Sequence, residues 1–412
     1  MREPPFTKES VLLSLVAAAI ILTAISITAF EILMGLALLG LVVSRTPLRL
    51  PPFWMPLALF LLGTLVSWAA SGQFREGLPQ LRKMYIYLML VLVTTVLRDA
   101  RQIRWIFRAW ALAATVAAAW SLIQFARKLQ EAHQAHQPFY DYYVVSRITG
   151  FTNHWMTFGG EMMIILLVAA AMILYDPHRR WTPYLIGSAL LITVALLLTW
   201  TRSMWLGAFL GGAYLIWFRK PWALLALPLA MALLLWANPF ELRDRVLSSY
   251  APHGAVDSNW HRVELREIGW NMIKAHPWLG VGPEQVSRQF QNYLPSGETR
   301  PLPGEYYGHL ENDYIQYAAE RGVPTMLALM WMIAWALRDF VAALRRLPAS
   351  CPASRDTRWI LHAAVAVIIA MLVSGWDSWN LNNSAVLAMF LAVLGSACVA
   401  LRHLDSQCDH PA

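Results

Sequence analysis

The segment "HLENDYIQYAAER", residues 309–321, carries more side chains able to do chemistry than the apolar stretches on either side of it. At helical spacing His309, Asp313, Gln316 and Glu320 return to one stripe. An unperturbed imidazole titrates at about 6.5, so His309 at neutral pH is mostly uncharged and able to accept a hydroxyl proton. Asp313, one turn on, is its nearer partner. Glu320, three turns away at about 16 Å, is too distant to orient it. The competing reading is the wet face of an interfacial helix.

A second set of residues is cationic. Arg202 stands in "TWTRSMWLG" and Arg147 in "SRITGFTNHW", beside Thr149, Gly150 and Thr152. Arg262 and Arg266 lie one turn apart on one helical face, and Arg288 follows the turn "GVGPEQV". A planar guanidinium holds two phosphate oxygens at once, so several converging arginines make a diphosphate site that needs no metal. Each also has a plainer reading: a snorkelling anchor for Arg202, a solvated loop charge for Arg147, and pairing with Glu264 or Glu267 for Arg262 and Arg266. His253, His261 and His276 are isolated and read as structural.

The elements that must position these groups follow from composition. Of 412 residues 58% are hydrophobic and only 14% charged, with 20 Trp. A soluble domain of this size needs more polar surface, so the chain reads as an all-α polytopic membrane protein. Twelve apolar runs lie near 11–25, 28–44, 53–70, 84–97, 105–126, 156–175, 183–200, 203–218, 222–237, 323–337, 359–375 and 386–401. The first reads as a retained anchor rather than a signal peptide, because no small-residue cleavage site follows it. Seventeen Lys and Arg fall on the side of the N-terminus and seven on the short segments opposite, which puts both termini in the cytoplasm. The net charge of +8 is mostly this orientation signal, and nucleic-acid binding is not implied. Cys351, Cys398 and Cys408 imply neither a disulfide framework nor a zinc site.

The chain reads as a single membrane-embedded domain over 1–412. Residues 238–322, between the ninth and tenth runs, form a large periplasmic loop capping the site. Within it, "DSNWHRVELREIGWNMIKAHPWLGVG" reads as a helix capped by Asp257 or Ser258 and stopped by Pro277. Eight basic and eleven acidic residues leave this loop at −3, so its overall field would not draw in an anion. Individual arginines must do so. No acidic pair suited to a metal lies on the outer side, and no Walker A, G-x-S-x-G or H-E-x-x-H pattern occurs. Neither a metal nor a cofactor is expected. The main ionisable groups inside apolar runs, Arg108 and Glu161, sit near run ends, which speaks against an energised transporter.

The strings "RVELREIGWNMIKAHPWLGVG" (262–282) and "HLENDYIQYAAERGVP" (309–324) resemble the O-antigen ligase/polymerase superfamily of bacterial envelope glycosyltransferases. "TRS" at 201–203 and "RITGFTNHWMTFGG" at 147–160 look like two further blocks of that superfamily. The resemblance implies an inner-membrane enzyme that moves a glycan from undecaprenyl diphosphate to lipid A–core oligosaccharide on the periplasmic face. It implies His309 as general base, with Asn312 completing a His-x-x-Asn pattern beside Asp313, Gln316 and Glu320. It also implies Arg147, Arg202 and Arg262 as diphosphate ligands. Arg266 stands where the family often has Trp, and Trp155 where it often has Pro. An O-antigen polymerase, a protein O-oligosaccharyltransferase or, less readily, a lipid-linked sugar transporter would use similar architecture; compact length and the lack of a C-terminal outer domain favour the ligase.

Overall fold

The computed structural model describes residues 8–250, 259–295, 308–347 and 351–408. In chain order the helices are α1 (Lys8–Leu22), α2 (Ile27–Ser44), α3 (Trp54–Ser71), α4 (Phe74–Lys83), α5 (Leu88–Val96) and α6 (Ala100–Gln134). There follow α7 (Phe139–Val145), α8 (Trp155–Tyr175), α9 (Thr182–Leu198), α10 (Arg202–Trp217), α11 (Ala226–Ala237) and α12 (Leu242–Leu247). The last six are α13 (Asn259–Ala275), α14 (Val286–Gln289), α15 (Asp313–Arg321), α16 (Val323–Arg346), α17 (Pro352–Ser374) and α18 (Ser384–Cys408). The described residues contain no strand, and the protein is an all-α polytopic membrane protein. That class follows from the medium: in lipid every backbone group must bond within its own segment, which a helix achieves.

Not all twelve runs form helices of full span length. Eight described helices are long and apolar enough to cross a membrane, namely α2, α3, α6, α8, α9 with its preceding 3-10 turn, α16, α17 and α18. One further pair, Pro221–Ala237 and Pro239–Leu247, is apolar enough when taken together but is bent by 111°. The break sits at Asn238, Phe240 and Glu241, all with left-handed φ of 43°, 53° and 58°. The remaining three runs form shorter helices, of 16 residues or fewer. They are α1 with 15 residues, α5 with 9 after a 3-10 turn, and α10 with 16. Apolar length in the sequence does not reveal where caps and breaks fall. Cys351 is disulfide-bonded, contrary to the sequence reading, while Cys398 is free and buried.

The bundle centre is made of α8, α17 and α18, whose faces are mostly buried; α17 packs against α8, α10, α16 and α18. Gly207 and Gly211 set the closeness of α10 to α17. A Cβ at Gly207 would stand 2.8 Å from the Ala370 carbonyl, and one at Gly211 2.8 Å from the Ala366 carbonyl. This is small-xxx-small packing against a matching small-residue face, the usual route to close helix contact where lipid removes the hydrophobic drive. It brings the first residue of α10, Arg202, beside the end of α17.

A second, smaller apolar core joins α13 to α15, with Leu265, Ile268 and Met272 against Val281, Phe290, Leu310 and Ala319. The α13 helix matches the sequence expectation, although its capping residues Asp257 and Ser258 lie outside the described residues. The following turn docks on the end of α15: Val281 N donates to the Ala319 carbonyl (2.8 Å) and Gly282 N to the Glu320 carbonyl (2.9 Å). Gly322 then reverses the chain into α16 at φ 81°, ψ 156°, a region open essentially to glycine alone. A Cβ there would also collide with the Trp278 carbonyl.

The α10–α17 contact yields a direct test. Gly211→Leu should overpack the contact, cost about 1–3 kcal/mol and lower Tm in detergent. Gly212→Leu, at a position with open space around its Cβ, should leave Tm unchanged. Equal Tm for the two variants would refute the close-packing account.

Candidate active site

Two neighbouring cavities open at the end of the bundle where α8 and α10 begin and α17 ends. One, of about 410 Å³, is lined by Arg202, Arg262 and Arg266 together with Ser249, Trp376 and Asp377. The other, of about 300 Å³, is lined by His309, His154, Lys83, Trp379, Asn382 and Asn383 among others. The segment from Arg147 to Trp155 connects them: the Arg147 guanidinium lies 4.9 Å over the Trp155 ring, and His154 adjoins that ring.

The arginines converge from four parts of the chain. Arg202 opens α10 and donates through Nη1 to Ser248 Oγ (3.3 Å) and Ser249 Oγ (2.6 Å). Arg262 donates through Nη1 to Asp377 Oδ2, and Arg266 one turn later donates through Nε to the Arg262 carbonyl at 3.2 Å. Arg147 is buried, its Nε donating to the Val144 carbonyl (2.9 Å) and its Nη1 to the Trp200 carbonyl (3.4 Å). Burial first, then the like charges of Arg245, Arg262 and Arg202, push the Arg147 guanidinium well below its ordinary value. The site is thus a concentration of positive charge, suited to an anion that would relieve it.

Arg245 is one of the eight basic residues of the long loop, and nothing in its spacing marks it out. It is buried, and its Nε donates to the same Trp200 carbonyl at 3.2 Å. Trp200 is held at a left-handed φ of 52°, uncommon for a bulky residue, which fits the position of its carbonyl between two guanidiniums. Arg288 is not brought to the cluster. Its side chain is 61% exposed, 3.9 Å from Glu76, and lines neither cavity.

His309 also departs from the sequence reading. The helix begins only at Asp313, because the Asn312 side chain caps it by accepting from Ile315 N at 2.9 Å. His309 therefore lies in irregular chain ahead of the helix. Its near carboxylate is Glu311 rather than Asp313, with Nδ1 3.5 Å from Glu311 Oε1 and no hydrogen bond between them. Its ring sits against Trp379, centroids 4.8 Å apart. His154 caps α8, Nδ1 accepting from Met156 N at 3.2 Å. Burial lowers its pKa, with Glu311 opposing and His309 and Arg147 reinforcing.

The polar stripe behind His309 is buried and holds backbone. Asn312 Nδ2 donates to the Trp376 carbonyl (2.7 Å), while Asp313 Oδ1 accepts from Leu381 N (3.2 Å). Together they fix the loop 375–383, which carries Asp377 into one cavity and Trp379 into the other. Gln316 Oε1 accepts from Leu310 N (2.7 Å), fixing the residue next to His309. Glu320 Oε1 accepts from Gln316 Nε2 (2.9 Å) and Glu284 N (3.1 Å). These residues position the site rather than line it, so the wet-face reading fails. Burial pushes the Asp313 carboxyl well up and that of Glu320 to about 7. Sequence reading passed over the 375–383 loop, although "GWDSWNLNN" concentrates Trp, Asp and Asn between two apolar runs. Among the described residues no group of three His, Cys, Asp or Glu is placed to hold a metal.

Guanidiniums facing one cavity and an imidazole facing the next, at one end of a membrane bundle, define a class: membrane proteins with a site suited to an anionic substrate. Residues 187–330 match the family model described as O-antigen ligase, a span that includes Arg202, Arg262, Arg266, His309 and Glu320. That match supports assignment of the chain to the O-antigen ligase/polymerase family, glycosyltransferase-type enzymes of glycan assembly with lipid-linked substrates. The comparison with curated proteins gave no match.

Glu320 generates a prediction about pH. Its folded value of about 7 lies above the ordinary 4.5, so the folded chain binds this proton more tightly than the unfolded one. The resulting stabilisation is complete below about 4.5 and is lost as pH rises through about 7, a change of about 3 kcal/mol. Glu320→Gln keeps an oxygen for Glu284 N and Gln316 but cannot ionise. Its Tm should match wild type near pH 5 and exceed it at pH 8. Parallel Tm–pH curves for the two proteins would count against a buried, titrating Glu320.

Proposed function

We propose that this protein is an O-antigen ligase. In this reading it transfers a glycan from undecaprenyl diphosphate to a hydroxyl of lipid A–core oligosaccharide, on the periplasmic face of the bacterial inner membrane and with inversion at the anomeric carbon. The observation that carries the proposal is the convergence of Arg147, Arg202, Arg262 and Arg266 beside the cavity that His309 lines. Residues 238–322 would act as the periplasmic cap, and both termini would be cytoplasmic.

The chemistry requires three things: a stabilised leaving group, a deprotonated nucleophile and restricted water. The acceptor hydroxyl oxygen attacks the anomeric carbon as the bond from that carbon to the phosphate oxygen breaks. The electron pair leaves with the diphosphate, whose charge the arginines take up. His309 receives the hydroxyl proton. Arg202 and Arg262 are the ligands nearest in kind to the sequence expectation, with Arg266 contributing from the next turn and Arg147 and Arg245 adding field from behind. Arg288 has no part in this arrangement. Asp377 holds Arg262 in the absence of donor, and the incoming diphosphate takes over that partnership. Charge stabilisation in this scheme comes from guanidinium, so transfer proceeds without a divalent cation.

The decisive measurement is glycan transfer by purified protein in chelator, with glycan-diphosphate-undecaprenol as donor and lipid A–core as acceptor. His309→Ala should lose about 10²–10⁴-fold in rate, the usual worth of a general base. Arg202→Ala should lose transfer while remaining folded and inserted. Full activity in His309→Ala would remove its role as base. Cells lacking the protein separate the related activities. A ligase loss leaves lipid A–core bare while polymerised glycan accumulates on its carrier, whereas a single repeat unit left on the core would mark a polymerase. Substrate movement that survives His309→Ala would mark a transporter.

A further inference from the structure

Helices α10 and α17, which line the arginine cavity, and α8, whose first turn lines the histidine cavity, carry a second group of arginines at their opposite ends. A cavity of about 560 Å³ there is lined by Arg179, Arg219, Arg355 and Arg358, with Leu174, Tyr175, Pro177, Leu347 and Ser354. Tyr175 ends α8, Arg219 follows α10, and Arg355 and Arg358 lie in the first turns of α17. The 21 residues of α8 span about 31 Å, close to the thickness of a bilayer's hydrocarbon core at about 30 Å. The second cavity is therefore at the other membrane surface from the candidate active site.

Among the described residues no carboxylate lines it. The two acidic residues beside it are committed elsewhere: Asp176 to Arg104 Nε (3.0 Å) and Arg108 Nη2 (3.1 Å), and Asp356 to Arg104 Nη2 (2.8 Å). Arg179 Nη1 donates to the Ile173 carbonyl, which anchors one of the four forks and leaves its remaining N–H groups. Four guanidiniums around a concave space, with Leu and Pro side chains along one wall, match a phosphate group attached to something apolar. Basic pockets between transmembrane helices are a recurring form of acidic-lipid headgroup site. The four arginines are exposed, as an orientation signal requires, but their gathering around one concave space whose described lining holds no carboxylate goes beyond that requirement.

We propose that this cavity binds a phosphate group, presented by the headgroup of an anionic phospholipid or as free phosphate. The site is independent of the transferase reading, since none of its residues lies in either active-site cavity. The test uses delipidated full-length protein in detergent and follows Tm on addition of phosphatidylglycerol, phosphatidylcholine or inorganic phosphate. Stabilisation by phosphatidylglycerol but not phosphatidylcholine, lost in Arg219→Gln/Arg355→Gln/Arg358→Gln, supports the site and assigns its source to lipid. Stabilisation by inorganic phosphate alone, lost in the same variant, supports the site with a soluble source. Should the triple variant not fold, Arg355→Gln alone, at an exposed position, should weaken the half-saturating concentration at least severalfold. Equal stabilisation by both lipids with none by inorganic phosphate, or responses that the substitutions leave unaltered, overturns the proposal and returns these arginines to a purely topological role.

Discussion

Crowding like charges into a partly dehydrated space is costly, and the arrangement around Arg147, Arg202, Arg245 and Arg262 is the constraint the rest of the fold serves. Each guanidinium has a partner that reduces the cost. The Trp200 carbonyl serves Arg147 and Arg245, the Trp155 ring also covers Arg147, serine hydroxyls meet Arg202, and Asp377 meets Arg262. Only the last is a carboxylate lining the cavity, and it sits on a loop held by backbone hydrogen bonds from Asn312 and Asp313. The charge cluster therefore depends on the polar stripe of α15, and both depend on α10 lying close enough to α17 to present Arg202.

Much of this was legible in the residues, and the failures have physical causes. Apolar runs predicted an all-α membrane bundle, and charge and spacing selected Arg147, Arg202, Arg262, Arg266 and His309 as the groups to watch. Helical periodicity was misleading at His309, because a periodic pattern continues through a capping residue that ends the helix. Asn312 is that cap, and the histidine falls outside it. The same pattern could not separate a stripe facing water from a stripe facing neighbouring backbone, since buried loops need polar partners as much as solvent does. Arg288 resembled the others by type and neighbourhood, but spacing says nothing of which way a turn faces.

Other parts were hidden for a different reason. Arg245 was one charge among many in a long loop, and only the bend near Asn238 swings it inward. The loop 375–383 looked like a mere connection between two spans, although its composition was unusual for one. Its first part serves one cavity, through Trp376 and Asp377, and its later part the other, from Trp379 onward. Gly207 and Gly211 were visible as letters, but their partners Ala366 and Ala370 lie far along the chain, so the pairing emerges only in three dimensions.

The bent helix has a mechanical consequence. Nothing along α11 is buried, and Leu225, Leu229, Leu233 and Trp236 all face outward. Its lateral position is thus governed by surrounding acyl chains more than by protein neighbours. Beyond the elbow, the same rod carries Arg245 and Ser248 into contact with Trp200 and Arg202. A change in the tilt of this exposed helix would therefore have a direct covalent path, through the elbow, to the arginine-rich end of the molecule.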